Sequence, residues 1–268
     1  MARRTTALGM VTTSLCMAAL VWTAASTQAP PVPEWQDPAV VGVNKEPPRA
    51  SFTAYADEAA ARAGDRSRSP YYQSLNGAWR FNWAAKPADR PADFYDVGFD
   101  DRNWTEIRVP SNWQFEGFGT PIYTNSRYPW GKADPPHIPA DDNPVGSYRR
   151  TFTVPGGWAG RRIFLTFDGV ESAFYVWVNG QRVGYSEDSR TPAEFDITRF
   201  ITAGDNLLAV EVYRWSDASY LEDQDFWRLS GIFRNVTLWS AGTLRVRDLE
   251  VVPAIDDRYR DAVLRTRI

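Results

Sequence analysis

The chain has 268 residues with a hydrophobic content of 43%, enough for one large core and part of a second. A formal net charge of −3 at pH 7, with lysines and arginines scattered among acids, excludes the basic footprint that nucleic acid or an anionic membrane requires. Aromatic residues reach 14%, with 12 tryptophans, a composition suited to sheet and to ring-shaped ligands.

In chain order, Arg3 and Arg4 precede a mostly apolar run over residues 7–22, followed by the small residues of TAASTQA and by Pro30. This layout predicts a secretory signal peptide over 1–29 and hence a periplasmic or secreted protein. The run is too short, and too interrupted by Thr and Ser, to span a bilayer well. Cys16, the only cysteine, lies inside it, so no disulfide or thiolate metal site is expected after cleavage. Residues 30–70 read as an extended N-terminal arm rich in Pro, Ala and Arg, with a short helix over 57–63.

From residue 75 the pattern changes to short alternating runs. They cover 77–83, 104–109 (stopped by Pro110), 147–154, 162–167, 174–178, 182–185, 195–197, 207–213 and 232–239. Asn179-Gly180 joins two of them, a pair suited to a type I′ hairpin because both central residues need positive φ. Residues 110–144 hold seven prolines and six aromatics: too many prolines for regular structure, too many rings to float in water. Loops of this length inside a compact domain are usually functional. Many short strands and almost no helix predict an all-β, antiparallel jelly-roll sandwich over 71–241. Two further runs, 244–252 and 262–268, read as the first strands of an immunoglobulin-like sandwich that the chain leaves unfinished.

The densest chemistry lies in RWSDASYLEDQDFWRLSGIFRNV, residues 214–236. The acids Asp217, Glu222, Asp223 and Asp225 sit among Trp215, Tyr220, Phe226 and Trp227, and Arg228 follows at once. A solvated loop has no need of so many rings, and a core strand does not tolerate so many carboxylates. Two readings stay open. One is a concave ligand wall with stacking faces and convergent oxygens; the other is a loop whose aromatics cap the core while its acids face water.

Six segments in order add a resemblance: SLNGAWRF at 74–81, VPSNWQ at 109–114, PIYTNSRYP at 121–129, NPVGSYRRTF at 143–152, FDGVESAFYVWVNGQRVGYSEDSRTPAEFDI at 167–197, and the acidic stretch itself. Together they closely resemble the N-terminal sugar-binding domain of the large bacterial β-galactosidases of glycoside hydrolase family 2. The resemblance runs from about Trp35 to the end of the chain. It implies a jelly roll, then an immunoglobulin-like domain and a TIM barrel, the barrel carrying the two glutamates of a retaining mechanism. Retention needs two carboxyl groups only about 5 Å apart, so no residue of this chain is assigned a catalytic role. The complete protein is expected to be a glycosidase hydrolysing terminal β-galactosyl residues, and this portion alone to be inactive.

By the same resemblance, Asn125 would hydrogen-bond a galactose hydroxyl, and Asp225 would help hold a sodium ion and the galactose 6-hydroxyl. Tyr123 would line the same wall, and the Pro-rich stretch would lie against the LEDQDFW loop. A magnesium site would take Glu34, Asp37, the Val40 carbonyl, Glu187 and Asp217. Glu34, Asp37 and Glu187 stand where the family commonly shows Asp, Asn and Gln; all are the oxygen donors a hard divalent ion needs. His137, among prolines, reads as a loop residue, neither base nor ligand. The resemblance also implies a homo-oligomer, tetramer or dimer. The rival readings are a free-standing carbohydrate-binding module and another family 2 activity, β-glucuronidase or β-mannosidase. YTN and EDQDFW favour the galactosidase, because a glucuronidase needs a basic pocket for its sugar carboxylate.

Overall fold

Alternation of apolar and polar residues at period two makes strands that bury one face, and here the large residues select a two-sheet sandwich. The computed structural model describes residues 32–222 and 224–268. The signal peptide expected over 1–29, with Cys16, lies outside the described residues, as does Asp223.

The strands are β1 (Gly42–Val43), β2 (Tyr72–Ser74), β3 (Gly77–Ala84), β4 (Thr105–Val109), β5 (Ile122–Thr124), β6 (Val145–Thr153), β7 (Arg162–Phe167) and β8 (Ala173–Val178). They continue with β9 (Gln181–Ser186), β10 (Ala193–Asp196), β11 (Asp205–Tyr213), β12 (Phe226–Arg228), β13 (Val236–Ala241), β14 (Glu250–Ile255) and β15 (Ala262–Arg267). One α-helix, α1 (Glu58–Ala63), is capped by Asp57, whose carboxylate accepts from the Ala60 amide at 2.8 Å. Among the described residues, no helix is long and apolar enough to cross a membrane.

Two antiparallel sheets, ordered β1-β9-β8-β11-β6-β3-β4 and β10-β7-β13-β2, face each other, the jelly-roll sandwich that the alternation predicts. Between them lie Trp79 and Phe81 of β3, Phe174 and Val176 of β8, Leu208, Val210 and Val212 of β11, Leu165 and Phe167 of β7, and Leu238 of β13, all buried. The large sheet has a second apolar layer on its outer face, where Tyr175, Tyr185, Tyr213 and Trp215 meet Trp35 and Ile138. Trp35 stacks on Tyr213 at 5.2 Å, and Trp130 meets Trp215 edge-on at 5.1 Å. The arm and the Pro-rich stretch are therefore the cover of that outer face.

The β8–β9 hairpin turns as expected, with φ of 51° at Asn179 and 79° at Gly180. The extended arm pairs through β1 with the edge of the large sheet, Gly42 opposite Ser186. Three expectations are corrected. The Pro-rich stretch contains β5 and a 3-10 turn at Trp113–Glu116, anchored by the fully buried Trp113. The strand expected from 232 begins only at Val236, because the Ile232 carbonyl accepts from the Ser111 amide at 2.9 Å and Gly231 bridges to Glu171. Likewise β14 starts at Glu250 rather than 244. Ahead of it, Asp248 accepts from the Ala50 amide at 2.8 Å and Arg247 donates to the Pro47 carbonyl at 2.9 Å, so arm contacts replace a ladder there. β14 and β15 form their own two-stranded sheet.

Close approach of the arm depends on Gly184, where an added Cβ would stand 2.3 Å from the Val43 carbonyl oxygen and 2.7 Å from the Phe195 ring. Gly184→Ala is expected to cost about 1–3 kcal/mol of stability, the range for overpacked positions, read as a lower urea midpoint. An unchanged midpoint would mean that β1 does not press on β9.

Candidate sugar-contact wall

Strands β5 and β12 pair with each other and with neither main sheet: Ile122 opposite Arg228, Tyr123 opposite Trp227, Thr124 opposite Phe226. The Pro-rich stretch and the acidic loop thus lie together. Side chains alternate along a strand, so Arg228 is buried and Phe226 half-buried, while Asp225 and Trp227 are exposed. Tyr123 and Trp227 are 54% and 55% exposed, with ring centroids 5.7 Å apart, an aromatic surface turned to solvent rather than to the core. The Tyr123 hydroxyl donates to Asp225 Oδ1 at 2.6 Å, and this bond to a carboxylate raises the phenol above its ordinary pKa. One step past the last pair, Asn125 and Asp225 lead off the same end of the ladder. Asn125 is exposed in a turn closed by the Thr124 hydroxyl, which donates to the Arg127 carbonyl at 2.6 Å. The three residues expected at the sugar therefore share the exposed face of one ladder, Tyr123 in its middle pair and Asn125 and Asp225 just past its end.

Beneath the wall runs a crevice bordered by Tyr128, Trp130, Trp215, Glu171, Glu222 and Arg228. Its volume is about 10 Å³, room for a single water. A sugar ring is far larger than this crevice. The crevice is nonetheless charged. Glu171 is buried and accepts from Arg190 Nη2 at 2.9 Å, and Glu222 accepts from the Ser189 amide and hydroxyl, each at 2.7 Å. Arg214 Nη2 donates to the Thr120 and Arg228 carbonyls at 2.9 and 3.2 Å, which fastens the Ile122/Arg228 end of the ladder to the sandwich. The sequence analysis missed Glu171 and Arg190. An acid inside the apolar run GVESAF was the available signal.

The five residues expected around magnesium are brought together only in part. The turn Glu34–Gln36 packs against the turn Asp217–Tyr220. Glu34, however, is occupied: Arg182 donates to Oε1 at 2.5 Å and the Tyr175 hydroxyl to Oε2 at 2.9 Å. Asp37 accepts from the Ala39 amide at 3.1 Å, and Val40 donates its amide to the Asp37 carbonyl at 2.8 Å. Glu187 and Asp217 do meet. Burial, then the Asp217 carboxylate, push Glu187 up to about 8, against the hydroxyl bond it receives from Tyr185. No N–H or hydroxyl donor reaches the buried Asp217 Oδ1 among the described residues. Such a pair needs a proton or a cation between its oxygens, so it fits a hard ion as two ligands. Among the described residues, no group of three or more acids, histidines or cysteines has metal-holding geometry. His137 is exposed, 3.7 Å from Asp134, a loop residue as expected.

Burial pushes the Glu171 carboxyl up to about 7 from its ordinary 4.5, against Arg190. A group whose native pKa is raised contributes stability that is present below the unfolded value and lost as pH rises through the native one. The melting temperature is therefore expected to fall between pH 4.5 and 7. Glu171→Gln is expected to flatten the profile by on the order of 3 kcal/mol. Superimposable profiles would show that Glu171 titrates as an ordinary carboxyl.

Residues 72–242 match the family of glycosyl hydrolases family 2, sugar binding domain. The chain is 48% identical over 236 residues to a β-galactosidase of Priestia megaterium, spanning 87% of this chain and 23% of that protein. It is 48% identical over 223 residues to a β-galactosidase of Psychromonas ingrahamii, spanning 83% of this chain and 21% of that one. It thus covers less than a quarter of the length of these relatives. Among solved structures, a β-glucuronidase of an uncultured Clostridium sp. superposes with a TM-score of 0.54 at 22% identity, over 81% of this chain and 35% of that chain, a likeness of fold. A sandwich whose rim gathers an aromatic pair, an amide and a carboxylate agrees with the family match, and the chain belongs to glycoside hydrolase family 2, whose sugar-binding domain it carries over residues 72–242.

Proposed function

We propose that this chain is the sugar-contacting N-terminal part of an exported β-galactosidase that hydrolyses terminal β-galactosyl residues with retention. The observation that carries the reading is the β5–β12 ladder, which presents Tyr123, Asn125 and Asp225 together at an exposed rim. The β-galactosidase relatives at 48% identity support the galactosyl class, whereas β-glucuronidase structures match at 26% or less.

In this reading Asp225 and Asn125 grip sugar hydroxyls, which pair as donors with a carboxylate and as either partner with an amide. Tyr123 fixes the Asp225 rotamer through its hydroxyl. Asp225 also fits a sodium ion, as a single oxygen ligand that galactose and residues outside this chain complete. Glu187 and Asp217 hold magnesium, which supplies the positive charge their buried carboxylates lack. The two catalytic carboxylates come from outside this chain, and its role is to orient the galactose before bond cleavage. The exposed apolar residues Val251, Val252, Val263 and Leu264 on β14 and β15 support the reading of that hairpin as the opening of an immunoglobulin-like domain. Homo-oligomerisation belongs to the same proposal.

Galactose titration tests the central contact. Asp225→Asn is expected to weaken binding at least tenfold and to remove any preference for sodium over potassium, since a hydrogen bond to a charged group is worth about 1.5–3 kcal/mol. Equal affinity of the two proteins would remove Asp225 from the sugar. Separately, magnesium is expected to raise the melting temperature of the wild type and not of Glu187→Gln, the gain approaching 2.7 kcal/mol at about 100 times Kd. No shift in either protein would mean that the pair holds only a proton.

A further inference from the structure

We infer that Glu171 and Arg190 are positioning residues for the exposed ladder: through a cation–aromatic clamp on Phe226 they hold Asp225 and Trp227 facing outward. The inference rests on the proposal that Asp225 contacts a sugar.

Because the β5–β12 ladder belongs to neither main sheet, the hydrogen-bond ladders of the sandwich do not orient it. Arg214 ties down its Ile122/Arg228 end, and at the other end, next to Asp225, the inward Phe226 orients it. Phe226 lies between two guanidiniums, with Arg228 at 4.6 Å and Arg190 at 5.1 Å from its ring centroid. Fixing Phe226 inward fixes its neighbours Asp225 and Trp227 outward, by strand alternation.

Arg190 reaches this place from the loop between β9 and β10, and three contacts keep it there. Its Nη2 donates to Glu171 Oε2 at 2.9 Å, its carbonyl accepts from Arg234 Nη1 at 2.8 Å, and its guanidinium lies 4.9 Å from the Phe233 ring. Glu171 is itself fixed to the sandwich. It is buried, and its backbone exchanges two hydrogen bonds with Gly231, at 3.1 and 3.2 Å. Burial favours its neutral form and the Arg190 guanidinium opposes this, while the 2.9 Å bond between them fixes Arg190 in place. Contact thus passes from Gly231 through Glu171, Arg190 and Phe226 to Asp225. A pair serving stability alone would transmit nothing to that last residue.

The test compares wild type with Arg190→Met, Arg190→Lys and Glu171→Gln by hydrogen–deuterium exchange and by galactose titration. Arg190 is partly exposed, so its variants are expected to fold. In Arg190→Met, amide exchange at residues 122–124 and 226–228 is expected to rise roughly fivefold with β6 and β11 unchanged, the size of one cation–aromatic contact. Galactose affinity is expected to fall by a similar factor. Arg190→Lys keeps the charge without the planar stack and is expected to lie between the two. Glu171→Gln is expected to raise ladder exchange as well, and wild-type rates in that variant would remove Glu171 from the clamp. Adding Asp225→Asn to Arg190→Met is expected to weaken binding no further than Asp225→Asn alone, because Arg190 acts through the acid. Unchanged ladder exchange, an equal rise in β11, or an additive loss of affinity overturns the inference. If the wild type binds no galactose, the sugar-contact reading fails, and ladder exchange alone still decides the clamp.

Discussion

Strand β11 is buried on both faces, and the rest of the molecule is arranged around that constraint. Leu208, Val210 and Val212 face the small sheet, while Ala209, Glu211 and Tyr213 face away and are equally buried. A strand of this kind needs a layer on each side. The small sheet is one layer. The arm and the Pro-rich stretch are the other, with Trp35 against Tyr213 and Trp130 against Trp215. Burying Glu211 in that second layer is tolerable only because it is paired: Arg90 donates to it at 3.1 Å and the Tyr213 hydroxyl at 2.9 Å.

The candidate site is a continuation of that cover. The Pro-rich stretch runs past the sheet and gives β5, and the chain leaving β11 through Trp215 returns as β12, so the two meet at the rim. Asp225 consequently stands on an open wall and not in a pit. The crevice below has a volume of about 10 Å³, and in the proposed reading the wall is one side of a sugar site. In the proposed reading the opposite side comes from outside this chain, in keeping with its coverage of 23% of the Priestia relative.

Much of this was legible in the residues. Alternation gave the sandwich, and Asn179-Gly180 gave the hairpin, because local backbone preference and burial pattern agree there. The stretch over 110–144 was legible only in part. Its prolines argued correctly against a long ladder, but three residues, Ile122–Thr124, still pair, since a partner far along the chain supplies the hydrogen bonds. For the same reason the strand expected at 232 began late: residues 231 and 232 bond to Glu171 and Ser111, contacts that no local period encodes. At 214–236 the rings divide between core and surface, and Asp217, expected on either reading among the acids, is buried. Trp215 caps the outer layer while Trp227 faces solvent. The Glu171–Arg190 pair joins two separate loops, and burial of Glu171, which only the fold confers, gives it its character.

A crystal structure of the protein with galactose bound tests the account most directly. The expected result is the sugar against the outer face of the β5–β12 ladder, with hydroxyls within hydrogen-bond distance of Asp225 and Asn125. Galactose ordered elsewhere, with Asp225 still held by Tyr123 and touching no sugar oxygen, would contradict it.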